Sequence, residues 1–552
     1  MARAVGRVGS ILVPHQSRSR RLRRATVLLI ALAVAACARN SGEPQPQGAA
    51  AAEPESAVVQ TAAGALRGVV APGYRVFNGI PYAAAPVGPL RWQPPQPAAP
   101  WPGERDATKP GVRCIQDTTY DPDYGRPTGE DCLNLNVWTP DGASRSHKKP
   151  VMVWIHGGGF LNGSADIYDA RWMATQGDIV VVTVNYRLGT LGFLADPALS
   201  QNGDVGNYGL ADQQAALRWV RDNVAEFGGD PTQVTIAGES AGAMSVCDHL
   251  VAPESAGLFR AAILQSGPCQ AQADRPTAQQ VSAEYAAAAG CTDAAAVAGC
   301  LRRLPTEALR RAPLYVGFGP DKLTGPVTGT DRLPADPMTA IASGRVTRMP
   351  VLVGSNGDEF AMFAAIQYLK ERQLPPYPQL MAKTFGGDAA AVADRYPLDR
   401  YGGSVGLAYS AAVTDSVFAC PADRIASGLA RTGPVYAYEF NDRTAPAPDP
   451  LRAAPFPVGA SHSLELRYLF DVGGAPPLDP AQRVLSDQMV AYWSQFVKTG
   501  SPEVTGLPQW PEFGADEATG KRLSLQTGEL TVTTDFSARH QCPFWTSRSG
   551  AR

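Results

Sequence analysis

The chain has 552 residues, 49 Lys and Arg against 51 Asp and Glu, a formal net charge of −2, and 44% hydrophobic residues. That length and apolar share suffice for a large buried core. The weakly acidic balance excludes the basic surface that nucleic-acid binding requires, so no nucleic-acid partner is expected.

Residues 1–24 hold seven arginines and no acid, and Ala25–Ala36 is an apolar run, ATVLLIALAVAA. Such a run is too short to span a bilayer, so residues 1–36 read as a signal peptide. It ends in VAAC, which resembles the bacterial lipobox and makes Cys37 the expected lipid-bearing first residue of the mature chain. The protein is therefore expected to be exported and held to the membrane of the bacterial cell envelope through an N-terminal lipid anchor. A secreted or periplasmic soluble form is the alternative. Residues 37–56, rich in Ala, Pro, Gln, Gly and Glu, read as a flexible tether. One folded domain is expected over 57–546 and a disordered tail over 547–552. Losing the seven leader arginines takes the net charge from −2 to −9.

Eight cysteines remain after Cys37, an even set that suits disulfides in an exported protein. There is no C-x-x-C pair and no histidine cluster near the cysteines, so no metal site is expected.

In chain order, short apolar runs bounded by turn residues predict strands at VMVWIH (151–156), IVVVTVNY (179–186), QVTIAG (233–238), AAILQS (261–266), PVLVGS (350–355) and VYAYEF (435–440). Continuous apolar runs of this kind are buried on both faces, as in a parallel sheet. Between them, Leu210, Leu217, Val220, Val224 and Phe227 recur at helical spacing before Gly228. The stretch RVLSDQMVAYWSQFVKTG repeats that pattern and stops at Gly500. The alternation predicts an α/β fold: a large, mostly parallel twisted sheet with helices on both faces.

Two G-x-S-x-G sequences are present, around Ser240 and around Ser404. Ser240 follows a predicted strand and opens a predicted helix, the context of a strained nucleophile turn. Ser404 follows DRYPLDRY, which carries no strand pattern, and reads as a loop or helix start. An acyl-transfer serine needs amide donors for an oxyanion, and the glycines of IHGGGF after the strand at 151 can supply them. Among the six histidines, His462 lies furthest along the predicted fold outside the C-terminal tail, as the order Ser, acid, His requires. His156 reads as part of the glycine turn, and His249 as a packing residue too far along its helix to face back. The acid should follow the strand at 350. There, Asp358 and Glu359 are both placed to orient an imidazole, and the residues alone leave the choice open.

The segments FNGIPYAAAPVGPLRW, GEDCLNLNVWTP, IHGGGF, VNYRLGTLGFL, the run from NYGLADQQ to IAGESAG, VLVGSNGDEFAMF and GASHSLELRYLF resemble, in order, the type-B carboxylesterase family, the cholinesterase-like branch of the α/β-hydrolases. The resemblance implies Ser240 as nucleophile, His462 as base and Glu359, not Asp358, as the acid. It implies oxyanion amides at Gly158, Gly159 and Ala241, and further acids beside the triad at Glu239 and Glu465. It implies structural ion pairs Arg91–Glu130 and Arg187–Asp212, and disulfides Cys114–Cys132, Cys291–Cys300 and Cys420–Cys542. Cys247 and Cys269 are then left to pair with each other. Phe360 stands where the family has a glycine. The segment between Cys114 and Cys132 has no tryptophan, so choline specificity is not expected, although Tyr120 and Tyr124 offer aromatic faces.

The implied activity is hydrolysis of a small-molecule carboxylic ester through an acyl-enzyme, without cofactor or metal. The alternatives are a bulky natural-product ester, a lactone or an amide, or a non-catalytic binding member of the family. The rate is expected to fall as pH drops through the His462 pKa, at about 6 to 7. The sequence carries no expectation for the oligomeric state.

Overall fold

The computed structural model describes residues 57–116, 126–200, 205–514 and 520–549. Cys37, the leader, the tether, Tyr120 and Tyr124 lie outside the described residues. Eleven strands form the central sheet. They are β1 (Val69–Ala71), β2 (Tyr74–Pro81), β3 (Asn134–Pro140), β4 (Lys149–Ile155), β5 (Val180–Val184), β6 (Gly229–Glu239), β7 (Ala261–Gln265), β8 (Val351–Asn356), β9 (Val435–Phe440), β10 (Arg522–Leu525) and β11 (Thr531–Thr533). Their spatial order is β11-β10-β9-β8-β7-β6-β4-β5-β3-β2-β1. From β5 to β10 every neighbouring pair is parallel, whereas β3, β2, β1 and β11 add antiparallel edges.

The apolar runs become the central parallel strands because both of their faces are covered. On β4, Val151, Val153 and Ile155 enter one core while Met152 and Trp154 enter the other. The same alternation runs along β7, where Ala262 and Leu264 oppose Ala261 and Ile263. Helix α1 (Tyr208–Asn223) covers the first face with Ala216, Leu217 and Val220, and α2 (Ala241–His249) joins it with Ala243, Met244 and Val246. On the second face, α3 (Ala361–Glu371), α4 (Val405–Val413) and α6 (Pro480–Thr499) pack their apolar sides. Helix α5 (Cys420–Ala430) lies between α4 and α6 in the chain.

The two predicted glycine stops hold φ 83° at Gly228 and φ 79° at Gly500, the left-handed conformation that ends a helix. Helix α6 starts on Asp479, whose carboxylate accepts from the Gln482 amide in a capping box. A last helix, α7 (Cys542–Ser549), runs past residue 546, where the folded domain was expected to end.

Candidate active site

The carboxyl ends of β4, β6, β7 and β8 lie side by side, with Gly238 in register with Ile155 and Leu264, and Gln265 with Gly354. Loops leaving these ends therefore converge on one edge, where α/β sheets place their sites. Ser240 sits on the turn between β6 and α2 with φ 55° and ψ −123°. A non-glycine residue in that region is strained, and the surrounding packing must hold it there. Gly242 allows the packing: a Cβ on it would lie 2.0 Å from the Ile155 carbonyl oxygen at the end of β4. The Ser240 amide donates to the Gln265 carbonyl at 2.9 Å, which ties the turn to β7.

The glycine loop after β4 abuts this turn, since a Cβ on Gly157 would lie 2.6 Å from a Glu239 carboxylate oxygen. Gly158 and Gly159 take φ 105° and 61°. Among the described residues, the amides of Gly158, Gly159 and Ala241 donate no hydrogen bond to the protein. Buried His156 donates from Nδ1 to the Gly157 carbonyl at 2.8 Å and stacks on Tyr186, so it shapes the loop.

His462 lies on the loop between β9 and α6 and is buried. Its Nδ1 is 2.6 Å from Glu359 Oε2, and its backbone amide donates to the Glu359 carbonyl at 3.2 Å. Glu359 Oε1 accepts from the Asn356 amide at 2.7 Å. Asp358 turns away, paired with Arg443 at 2.9 Å. His462 Nε2 lies 3.1 Å from Glu239 Oε1, which also accepts from the Ser463 hydroxyl at 2.6 Å. Glu465 reaches the same group from behind: it accepts from Asn356 Nδ2 at 2.6 Å and from Gln265 Nε2 at 3.2 Å.

Three buried carboxylates thus surround one imidazole, and their charges set its titration. Burial alone would lower the His462 pKa, but the charges of Glu239 and Glu359, the Glu359 hydrogen bond and the charge of Glu465 outweigh it and raise it to about 9. That lies above the expected range, because three carboxylates act on the ring where the expectation counted a single acid. Burial, together with the like charges of Glu239 and Glu359, pushes Glu465 up to about 8. Burial raises Glu239 as well, against the pull of His462 and Ser463.

Phe363 and Phe418 face the imidazole with ring centroids at 5.2 and 5.0 Å, and Phe318 closes the group at 5.5 and 5.6 Å from them. Phe360, in place of the glycine that the resemblance implies, is buried and packs on Phe363 at 5.1 Å. The three rings come from separate segments of the chain, and no pattern in the sequence marks them as one group. The single signal for Phe418 is its position two residues before Cys420.

Ser404 lies elsewhere, as the N-cap of α4, with its hydroxyl accepting from the Leu407 amide at 3.3 Å. His249 is buried between Ser255 and Gln213 at 2.8 and 3.0 Å. The ion pairs Arg91–Glu130 and Arg187–Asp212 close at 2.6 and 2.7 Å. Cysteines pair as Cys114–Cys132, Cys247–Cys269, Cys291–Cys300 and Cys420–Cys542. Four disulfides belong to an oxidising compartment and so to an exported protein.

Comparison with known proteins agrees with this geometry. A family model described as "Carboxylesterase family" matches residues 55–545. An acylcarnitine hydrolase of Mus musculus is 34% identical over 81% of this chain and 82% of its own length. A cocaine esterase of Oryctolagus cuniculus is 34% identical over 81% and 87%, and the pyrethroid hydrolase Ces2e of Rattus norvegicus 34% over 81% and 81%. A strained serine at the carboxyl edge of a mixed α/β sheet, and a family match that spans nearly the whole described chain, lead to one conclusion: the chain belongs to the carboxylesterase family and is a serine hydrolase of carboxylic esters.

Proposed function

We propose that Ser240, His462 and Glu359 are the catalytic triad. The support is the backbone at Ser240, held at φ 55°, together with three amides that have no partner among the described residues. When substrate binds, His462 Nε2 exchanges Glu239 for the Ser240 hydroxyl and takes its proton as the oxygen attacks the ester carbonyl. Glu359 fixes the tautomer through Nδ1 and stabilises the imidazolium. The amides of Gly158, Gly159 and Ala241 hold the oxyanion, and the start of α2 adds its positive dipole end. His462 then gives the proton to the leaving alcohol. Water attacks the acyl-enzyme by the same route and releases the acid and free Ser240.

The aromatic group of Phe318, Phe363 and Phe418 against His462 suits an ester with an apolar group beside the reacting carbonyl. The relatives carry the names of hydrolases of chemically unrelated esters, which favours a broad substrate range over one tailored fit. Hydrolysis of p-nitrophenyl esters of increasing acyl length tests both parts. Ser240→Ala should lower kcat by about 10⁴-fold or more on every ester. Activity that survives Ser240→Ala overturns the triad, and a rate independent of acyl length overturns the apolar wall.

The mature protein is, in this reading, a bacterial lipoprotein. Cys37 carries the lipid, residues 37–56 form the tether, and the catalytic domain at the cell envelope runs from residue 57 to the end of α7 at residue 549.

A further inference from the structure

The second Gly-x-Ser-x-Gly leads into α4, and α4 walls a cavity of about 510 Å³ whose lining contains none of Ser240, Glu359 and His462. That volume falls in the range of small-molecule sites, about 300–1,000 Å³. Gly357, Asp358 and Ala361 line one side, so an occupant rests against the segment that carries Glu359. Four basic and three acidic side chains face the cavity: Arg400, Arg443, Arg539 and His540 against Asp358, Asp415 and Glu439.

Most of this charge is internally matched. Arg443 pairs with Asp358 at 2.9 Å, and Arg539 donates to Glu439 at 3.2 Å. His540 lies between Asp415 and Glu439, the latter at 2.8 Å from Nε2. Burial works against its charge, but the two carboxylates raise its pKa to about 10, so it is an imidazolium at neutral pH. Arg400 is exposed and makes no ion pair among the described residues, which leaves the lining one positive charge in excess. Ser410 is only 3% exposed, and its hydroxyl has no hydrogen-bond partner among the described residues. A buried polar group left unpaired is costly, and a hydrogen-bonding ligand in the cavity that Ser410 lines would offset that cost. The remaining wall includes Ala361, Leu407, Ala411 and Pro457, which are apolar.

We propose that this cavity binds a small monocarboxylate with an apolar body, with Arg400 as its cation and Ser410 as its buried hydrogen-bond donor. One surplus cation matches one negative charge. A dianion such as phosphate would place its second charge among Asp358, Asp415 and Glu439. The apolar wall selects a carboxylate with a hydrocarbon or aromatic body, the chemical class of the acid released by ester hydrolysis.

The test is a ¹⁹F NMR titration of 4-fluorobenzoate against the full chain after its esterase activity has been abolished by a dialkyl p-nitrophenyl phosphate, which fills the catalytic pocket. Saturable binding should survive the block. Arg400→Gln should weaken it about tenfold or more, the loss of one charge-assisted hydrogen bond. Ser410→Ala should also weaken it while leaving the melting temperature unchanged or higher, since it removes a buried hydroxyl that has no hydrogen-bond partner among the described residues. Inorganic phosphate at equal concentration should not displace the probe. Binding that disappears with the block, an unchanged Kd in both variants, or equal displacement by phosphate would each overturn the proposal.

Discussion

His462 stands in the field of Glu239, Glu359 and Glu465, and this field separates the site from a triad with a single acid. A base must be deprotonated to accept the serine proton, so a raised pKa moves the acid limb of kcat/KM to higher pH. With the His462 pKa at about 9, the rate should still be rising with pH above 7. Glu239 is the largest of the raising influences, so Glu239→Gln should move the midpoint of that limb down by about one pH unit or more. A pH–rate profile that is flat above 7, or a Glu239→Gln midpoint at or above that of the native enzyme, would contradict this electrostatic account. The choice between Asp358 and Glu359 was not legible from the residues, because both follow β8 directly. It rests on Arg443, 85 residues away in the chain, which draws Asp358 to itself and leaves Glu359 facing inward. No local pattern could carry that information.

The elements explain why one Gly-x-Ser-x-Gly differs from the other. Ser240 is preceded by a strand buried on both faces and is forced into a tight turn by the approach of β4, whereas Ser404 has ordinary extended backbone and caps a helix. Ser404→Ala should therefore cost about 1 kcal/mol of stability, the usual value of an N-cap, and leave kcat unchanged. Chemical denaturation and a single ester assay check both halves, and a large fall in kcat would reverse the assignment. The central parallel strands were readable because double-sided burial demands unbroken apolar runs. The antiparallel edge strands β2 and β3 were not: YRVFNGIP and NLNVWTP mix polar and apolar residues, and Gly79 interrupts the first near a register shift. Strand β10 escaped for another reason. It is buried, but its Arg522 is neutralised by Asp423 of α5 and lies over the rings of Phe513 and Phe536, so a charged residue marks a core position.

At the scale of the whole molecule, the disulfides join stretches that the sheet alone leaves loosely tied. Cys420–Cys542 spans 122 residues and fixes α7 to the start of α5, beside the His540 cluster. Cys247–Cys269 links the end of the elbow helix to the segment after β7, so the turn at Ser240 is braced on both of its neighbours. Export is consistent with that chemistry, and the anchor has its own test. Cys37→Ser should move the esterase from the membrane fraction to the soluble fraction without changing kcat, and unchanged membrane retention would rule out the lipid anchor. The central claim is that Ser240 is the nucleophile of an ester hydrolase. It is tested most directly by inactivating the enzyme with diethyl p-nitrophenyl phosphate and locating the adduct by peptide mass spectrometry. The adduct should appear on the peptide containing Ser240 in proportion to the activity lost, with the Ser404 peptide unmodified. An adduct on another residue, or full activity in enzyme modified at Ser240, would contradict the account.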